Sequence, residues 1–237
     1  MTEWKAKRFW TDVAVRADEG GYRVFLDERT LNTPGKLPLL LPTEAMAEAV
    51  AEEWRAQDGH IQPLTMPNTR SANSAIERVA PQHAEVCAML SAYGETDLLC
   101  YRAHGPAELT QRQQDAWDPL LDWATERFAA RLVPVAGVLP VDQDPAALGA
   151  LAAQVSHTEA FPLTALHDLI TLTGSLVLGL AIAERHISAN EGWRLSRIDE
   201  DWQISQWGED DEATQMAEAK RAQLLHAERF LSLCSEK

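Results

Sequence analysis

A chain of 237 residues, 46% hydrophobic and 24% charged, is long enough to bury one large core or two smaller ones. Its formal net charge of −15 repels phosphate backbones and acidic membrane surfaces, which disfavours nucleic acid and lipid as partners. Three widely spaced cysteines (Cys87, Cys100, Cys234) without a CxxC argue against a disulfide framework, and MTEWKAKRFW reads as neither a signal peptide nor an organelle presequence, so the expected location is a bacterial cytoplasm.

The chain starts as β. Val13 and Val15 alternate with polar neighbours, DEGG (Asp18 to Gly21) reads as a turn, and Tyr22, Val24 and Leu26 alternate again. DERTLNTPGK is turn chemistry, and LPLLL (Leu37 to Leu41) is a further strand candidate. After Pro42 the period changes. Thr43 is placed to cap a helix in which Ala47, Val50 and Trp54 share a face, with Gly59 as its stop. HIQPLTMP, with two prolines, reads as extended. Ala72, Ala75, Ile76 and Val79 mark a second helix, and Val86, Met89, Leu90 and Tyr93 a third, closed by Gly94.

Beyond Gly94 the pattern reads as wholly helical. Asp118-Pro119 looks like a cap and first-turn proline opening DPLLDWATERFAARL. VPVAGVLPVDQDP is a connector, and Pro145 opens another helix. LITLTGSLVLGLAIA (Leu169 to Ala183) is too short to span a bilayer and reads as one buried helix. Thr171, Ser175, Gly179 and Ala183 would form a ridge of small side chains along it. One helix then ends at Trp207-Gly208, and a last one runs from about Asp210 to Cys234. The resulting expectation is an α+β fold. An N-terminal α/β domain with a hairpin-rich sheet covers residues 1–75, and an all-helical C-terminal domain covers residues 76–237.

The chemistry-bearing motifs are absent. There is no phosphate-binding glycine loop, no zincin HExxH and no hydrolase GxSxG. The seven histidines show no ligand spacing, so no metal is expected. Cys87 and Cys100 fall on apolar faces and read as buried, inert thiols. Of the eight tryptophans (4, 10, 54, 117, 123, 193, 202 and 207), most read as core anchors, as Trp54, Trp117 and Trp123 do.

One stretch stands apart: IDEDWQISQWGEDDE, Ile198 to Glu212, with seven carboxylates, two tryptophans and no positive charge. A calcium loop starting at Asp199 would need glycine where Ile204 stands and a bidentate glutamate where Asp210 stands. Asp199 and Glu200 are neighbours on a helix and point roughly 100° apart, so they are poorly placed to share one substrate. An acid-dependent hydrolase using carboxylates near Asp199, Glu200 and Glu209 stays as the alternative reading. The helical period separates two stripes. Leu195, Ile198 and Trp202 form one, and Glu200, Gln203 and Trp207 a neighbouring one. An acid, an amide and an indole side by side suit contact with another protein. Glu209 to Glu212 read as the acidic first turn of the last helix.

Several pieces, taken in order, carry a resemblance. They are KRFW (Lys7 to Trp10), YRVFLDERTLNTP (Tyr22 to Pro34), AEEWRAQ (Ala51 to Gln57), MPNTRSANSAIERV (Met66 to Val79), YGETDLLCYRA (Tyr93 to Ala103), WDPLLDW (Trp117 to Trp123), LTGSLVLGLA (Leu172 to Ala181) and DEDWQISQWGED (Asp199 to Asp210). Together the chain resembles the ATP synthase assembly chaperones that act on the alpha subunit of the catalytic head, the assembly factor conventionally numbered twelve, in a bacterial form. The resemblance implies an α/β N-terminal domain and an orthogonal helical C-terminal domain, with no catalysis and no cofactor. It implies a protein that holds unassembled alpha subunit, prevents its aggregation and leaves when alpha pairs with beta. It points to Glu200 as the functional acid, with Asp199 as the fallback. The expected partner-binding set is thus Glu200, Asp199, Gln203, Trp207 and Trp202, on a monomer with no nucleic acid and no membrane insertion.

Overall fold

Strand β1 (Val13–Asp18) turns at Glu19-Gly20 into β2 (Gly21–Leu26), and β3 (Arg29–Thr30) completes a three-stranded antiparallel sheet in the order β1-β2-β3. The register pairs Val13 with Leu26, Val15 with Val24 and Ala17 with Tyr22, so the apolar residues share one face. That face packs on α1 (Glu44–Arg55), which turns Met46, Ala47, Val50 and Ala51 inward. Thr43 Oγ1 accepts from the amide of Met46 at 3.1 Å, the cap expected from the sequence. The helix stops at Arg55, short of Gly59. The computed structural model describes residues 7–137, 139 and 141–235, so Trp4 and part of the connector after Val135 lie outside the described residues.

LPLLL does not form a strand. Leu41 makes one bridge, exchanging both hydrogen bonds with Tyr22 at 2.8 and 2.9 Å, and Asn32 bridges Pro38. Prolines at 38 and 42 supply no amide, so a continuous ladder cannot form. The bridge brings the carbonyl of Leu41 so close to Gly21 that a Cβ there would collide with it.

The chain separates into two units that are not consecutive lengths of sequence. The first holds Met1–His83 with Glu159–Ala165 and Arg229–Lys237, and the second holds Ala84–Thr158 and Leu166–Glu228. In the first unit, Ala165 and Phe230 join the core built on Trp10, Val24, Leu39, Leu41 and Met46. HIQPLTMP, expected to be extended, holds a short 3-10 turn (Pro63–Thr65). Helix α2 (Pro67–Ser74) follows and widens through Ala75–Val79, where the Ala80 amide bonds back to the Ala75 carbonyl. Its own N-cap, Met66, offers no side-chain acceptor. Glu53 of α1 supplies it instead. Its carboxylate accepts from the Asn68 amide (2.6 Å), Asn68 Nδ2 (2.8 Å), the Thr69 amide (2.8 Å) and Thr69 Oγ1 (2.8 Å). Glu53→Ala is expected to cost about 2 kcal/mol, the loss of a charged cap, read as a lower urea midpoint at unchanged m-value.

A second carboxylate pins a loop. Glu77 accepts from the Gly35 amide at 2.5 Å, and a bond from the Thr33 side chain, followed by this one, holds its carboxyl below the usual range. A depressed folded-state value means that the contribution exists above the unfolded value, near 4.3, and disappears as pH falls through the folded one. The melting-temperature gap between the wild type and Glu77→Gln should therefore be present at neutral pH and close below about pH 4.

The second unit is largely helical, with a small addition. Tyr101–Arg102 (β4) pairs in parallel with Val135–Ala136 (β5), so the region is not helix throughout. Its described helices are α3 (His83–Ser91), α4 (Ala107–Phe128), α5 (Pro145–Ser156), α6 (Ala160–Thr173), α7 (Leu176–Ala183), α8 (Ala189–Ser196), α9 (Ile198–Trp207) and α10 (Asp211–Ser232). Parts of α3, α6 and α10 belong to the first unit. Asp118-Pro119 does not start a helix, because it lies inside α4. Asp118 serves an ion pair instead, with Oδ1 2.7 Å from Nη2 of the buried Arg102, whose guanidinium also lies over the Trp117 ring.

The apolar run of Leu169 to Ala183 is two helices, so the four-residue ridge expected along it does not exist. Gly174, at φ +70°, ends α6, and Ser175 caps α7 by accepting from the Leu178 amide at 3.0 Å. The break is held by another segment. The Leu98 amide donates to the Gly174 carbonyl at 3.2 Å. The wholly buried Asp97 accepts from Ser175 Oγ (2.7 Å), the Val177 amide (3.0 Å) and the Leu99 amide (3.0 Å). Gly179 then lies directly against Ile170, with no space for a Cβ.

Candidate partner-binding surface

Helix α9 carries every residue of the expected set. In place of the one helix expected to end at Trp207, the chain bends at Arg197 (φ −112°, ψ 16°), which separates α8 from α9. The inward stripe is therefore shared between two helices, with Leu195 on α8 and Ile198 on α9, both buried. Trp117 Nε1 of α4 donates to the Leu195 carbonyl at 2.9 Å and so seals the end of α8. Arg197 lies over the Trp193 ring and 3.7 Å from Asp201 Oδ1.

The two candidate acids have different surroundings. Asp199 is half-buried, and its Oδ1 accepts from Gln113 Nε2 at 2.6 Å. Gln113 is itself buried and accepts the Ala103 amide at 2.8 Å through its Oε1. This relay ties α9 to α4 and to the residue after β4. Glu200, one position on, is exposed. Gln203 is exposed, Trp202 is half-buried, and Trp207 is 81% exposed at the last position of the helix. Gly208 ends α9 at φ +89°, and its amide donates to the Ile204 carbonyl at 2.8 Å. Asp210 Oδ1 then accepts from the Ala213 amide at 2.8 Å, capping α10, with Asp211 and Glu212 in the first turn.

Beside this helix, Glu108, Gln111, Arg112, Asp115 and Ala116 of α4 face Arg194 and Ile198 across an open cleft of about 560 Å³. Both charge signs line it. Among the described residues no group of three or more His, Cys, Asp or Glu side chains is placed to hold a metal ion. The three cysteines are unbridged, and burial pushes the Cys100 and Cys234 thiols up to about 12, so they stay protonated at neutral pH. Among the described residues no helix is long and apolar enough to cross a membrane.

Residues 7–125 match the family model described as ATP12 chaperone protein. The chain belongs to this family. Solved structures extend the similarity beyond that span. The crystal structure of Atp12 from Paracoccus denitrificans is 54% identical, covers 98% of this chain and 100% of its own, and superposes with a TM-score of 0.96. An aspartate-to-lysine mutant of the P. denitrificans protein is 53% identical, covers 99% of this chain and 100% of its own, and gives a TM-score of 0.96. The Atu1473 protein of Agrobacterium tumefaciens is 40% identical over 97% of this chain and 86% of its own, with a TM-score of 0.90. The α+β fold with its helical C-terminal region is thus a feature shared with these relatives.

Sequence reasoning did not single out Asp97, Glu53 or Gln113. An acid followed by apolar residues, as in TDLLC, signals a helix start. That Asp97 serves a helix almost eighty residues later has no local signal, because the geometry joining them is tertiary.

Proposed function

We propose that this chain is an ATP synthase assembly chaperone that binds the unassembled alpha subunit of the catalytic head and keeps it from aggregating until beta takes its place. The observation that carries the reading is the 81%-exposed indole of Trp207, on the helix that also exposes Glu200 and Gln203, in a chain of the ATP12 chaperone family. An indole offers a large rigid contact area with a polar N–H, the kind of anchor that protein contacts use. An acidic rim around it steers encounter and selects the partner. In this reading Glu200, Gln203 and Trp207 make contact. Asp199 and Trp202 hold the helix in place and border the contact. The protein works as a monomer in the bacterial cytoplasm, without cofactor or turnover, and its carboxylates form a rim in place of a hydrolytic pair.

The test is co-expression. The alpha subunit should stay in the soluble fraction when produced with this chain and without added ATP, and aggregate when produced alone. Equal aggregation in both cases would refute the proposal. Turnover of generic ester, phosphate or glycoside substrates that is lost in Glu200→Gln would establish the hydrolase reading instead.

A further inference from the structure

From Ser205 to Lys220 every residue except Ala217 is exposed. The segment runs from the end of α9 through Gly208 into nearly three turns of α10. A helix in a folded protein ordinarily draws its stability from an apolar face buried against a neighbour, and isolated helices of this length are marginal in water. Along the first turns of this one every residue but Ala217 is exposed, yet it carries an apolar stripe. Ala213, Met216 and Ala217 stand at i, i+3 and i+4, and Met216 is 57% exposed. Alanines flanking a methionine leave room for a second helix to approach closely, and the flexible thioether adapts to what arrives. Trp207 adds a second apolar anchor on the same segment. Within the segment the charge has nearly one sign, Glu209, Asp210, Asp211, Glu212 and Glu218 against Lys220, and Arg221 just beyond it pairs with Glu218 at 3.5 Å. Asp210 caps α10.

We propose that the Ser205–Lys220 arm is a docking element for a basic amphipathic helix of the partner, which buries Trp207 and Met216 under its apolar face and sets its lysines or arginines against the acidic rim. This deepens the proposed function and rests on α9 as the partner-binding helix. Charge complementarity decides the occupant. A second copy of this chain, at −15, would bring repulsion to the same surface.

The probe is a labelled synthetic peptide with leucines on one helical face and lysines on the other, titrated onto the full chain by fluorescence anisotropy. A leucine-glutamate peptide of the same pattern serves as the control. The leucine-lysine peptide should bind, weaken as salt rises, and slow amide exchange within residues 205–220. The double variant Trp207→Ala, Met216→Ala keeps the net charge, so a loss of about tenfold or more in that variant reports the apolar anchors and not generic attraction. The inference is overturned if both peptides bind alike, if the double variant binds as the wild type does, if protection falls elsewhere, or if the arm is covered by self-association in size-exclusion light scattering. If alpha-subunit solubility depends on Trp207 while the leucine-lysine peptide fails to bind, this inference falls and the chaperone reading stands. If alpha aggregates regardless of this chain, the functional reading itself falls.

Discussion

Asp97→Ala is expected to destabilise the chain by about 3 kcal/mol or more, lowering the melting temperature by about 6–12 °C for a protein of this size. The carboxylate has no exposure and receives two backbone amides and one hydroxyl at the break between α6 and α7. Alanine leaves these donors buried without an acceptor, and each costs about 1–3 kcal/mol. Burial pushes the Asp97 carboxyl above its ordinary range, and the bonds from Ser175, Val177 and Leu99 pull the other way. A raised folded-state value places its stabilising contribution at low pH, lost as pH rises through that value. The deficit of Asp97→Ala should therefore shrink toward higher pH. Asp97→Asn, which keeps one acceptor oxygen, should fall between the wild type and alanine. A melting temperature for Asp97→Ala within about 2 °C of the wild type would show that the break is held by packing alone.

Trp207→Ala is expected to weaken alpha-subunit capture by at least about tenfold, and by more if the indole is a central anchor. At 81% exposure the side chain contributes little to folding, so the melting temperature should move by no more than about 1 °C. Glu200→Lys should also weaken capture without altering the thermal transition, and its defect should depend on salt because a rim charge acts through encounter. The two variants can be told apart. The tryptophan defect should appear in the off-rate at any salt, and the glutamate defect mainly in the on-rate at low salt. A large fall in melting temperature for either variant would make that residue structural and would sink its assignment to the contact surface.

Much of the fold could be read from periodicity. The hairpin of β1 and β2, the Thr43 cap of α1 and the acidic start of α10 follow from alternation, capping chemistry and the helix dipole, all of which act within a few residues. Where the expectation failed, a distant residue or a local proline intervened. Leu169 to Ala183 has nothing but apolar and small residues to argue for a break, yet Asp97 and Leu98 open one at Gly174. Asp118-Pro119 has the form of a cap, but Asp118 is taken by Arg102 and α4 runs through the proline. LPLLL has the composition of a strand, while its prolines deny it a ladder and leave isolated bridges at Pro38 and Leu41.

For the candidate surface the division is similar. The helical period of residues 198–207 is a property of the chain alone, and it separates Ile198 from Glu200, Gln203 and Trp207. Which acid stays in solvent is not, because Asp199 and Glu200 are chemically alike and adjacent. The choice is made by Gln113, a buried amide on another helix that reaches Asp199 and leaves Glu200 exposed. By itself the sequence determined the class of fold, the elements with strong period and the acidic aromatic segment, since each depends on neighbours three or four positions away. The tertiary structure alone decided the breaks, the borrowed caps from Glu53 and Asp97, and the exposure of Trp207. Those depend on which distant group arrives to satisfy a buried donor, or on none arriving to cover an indole.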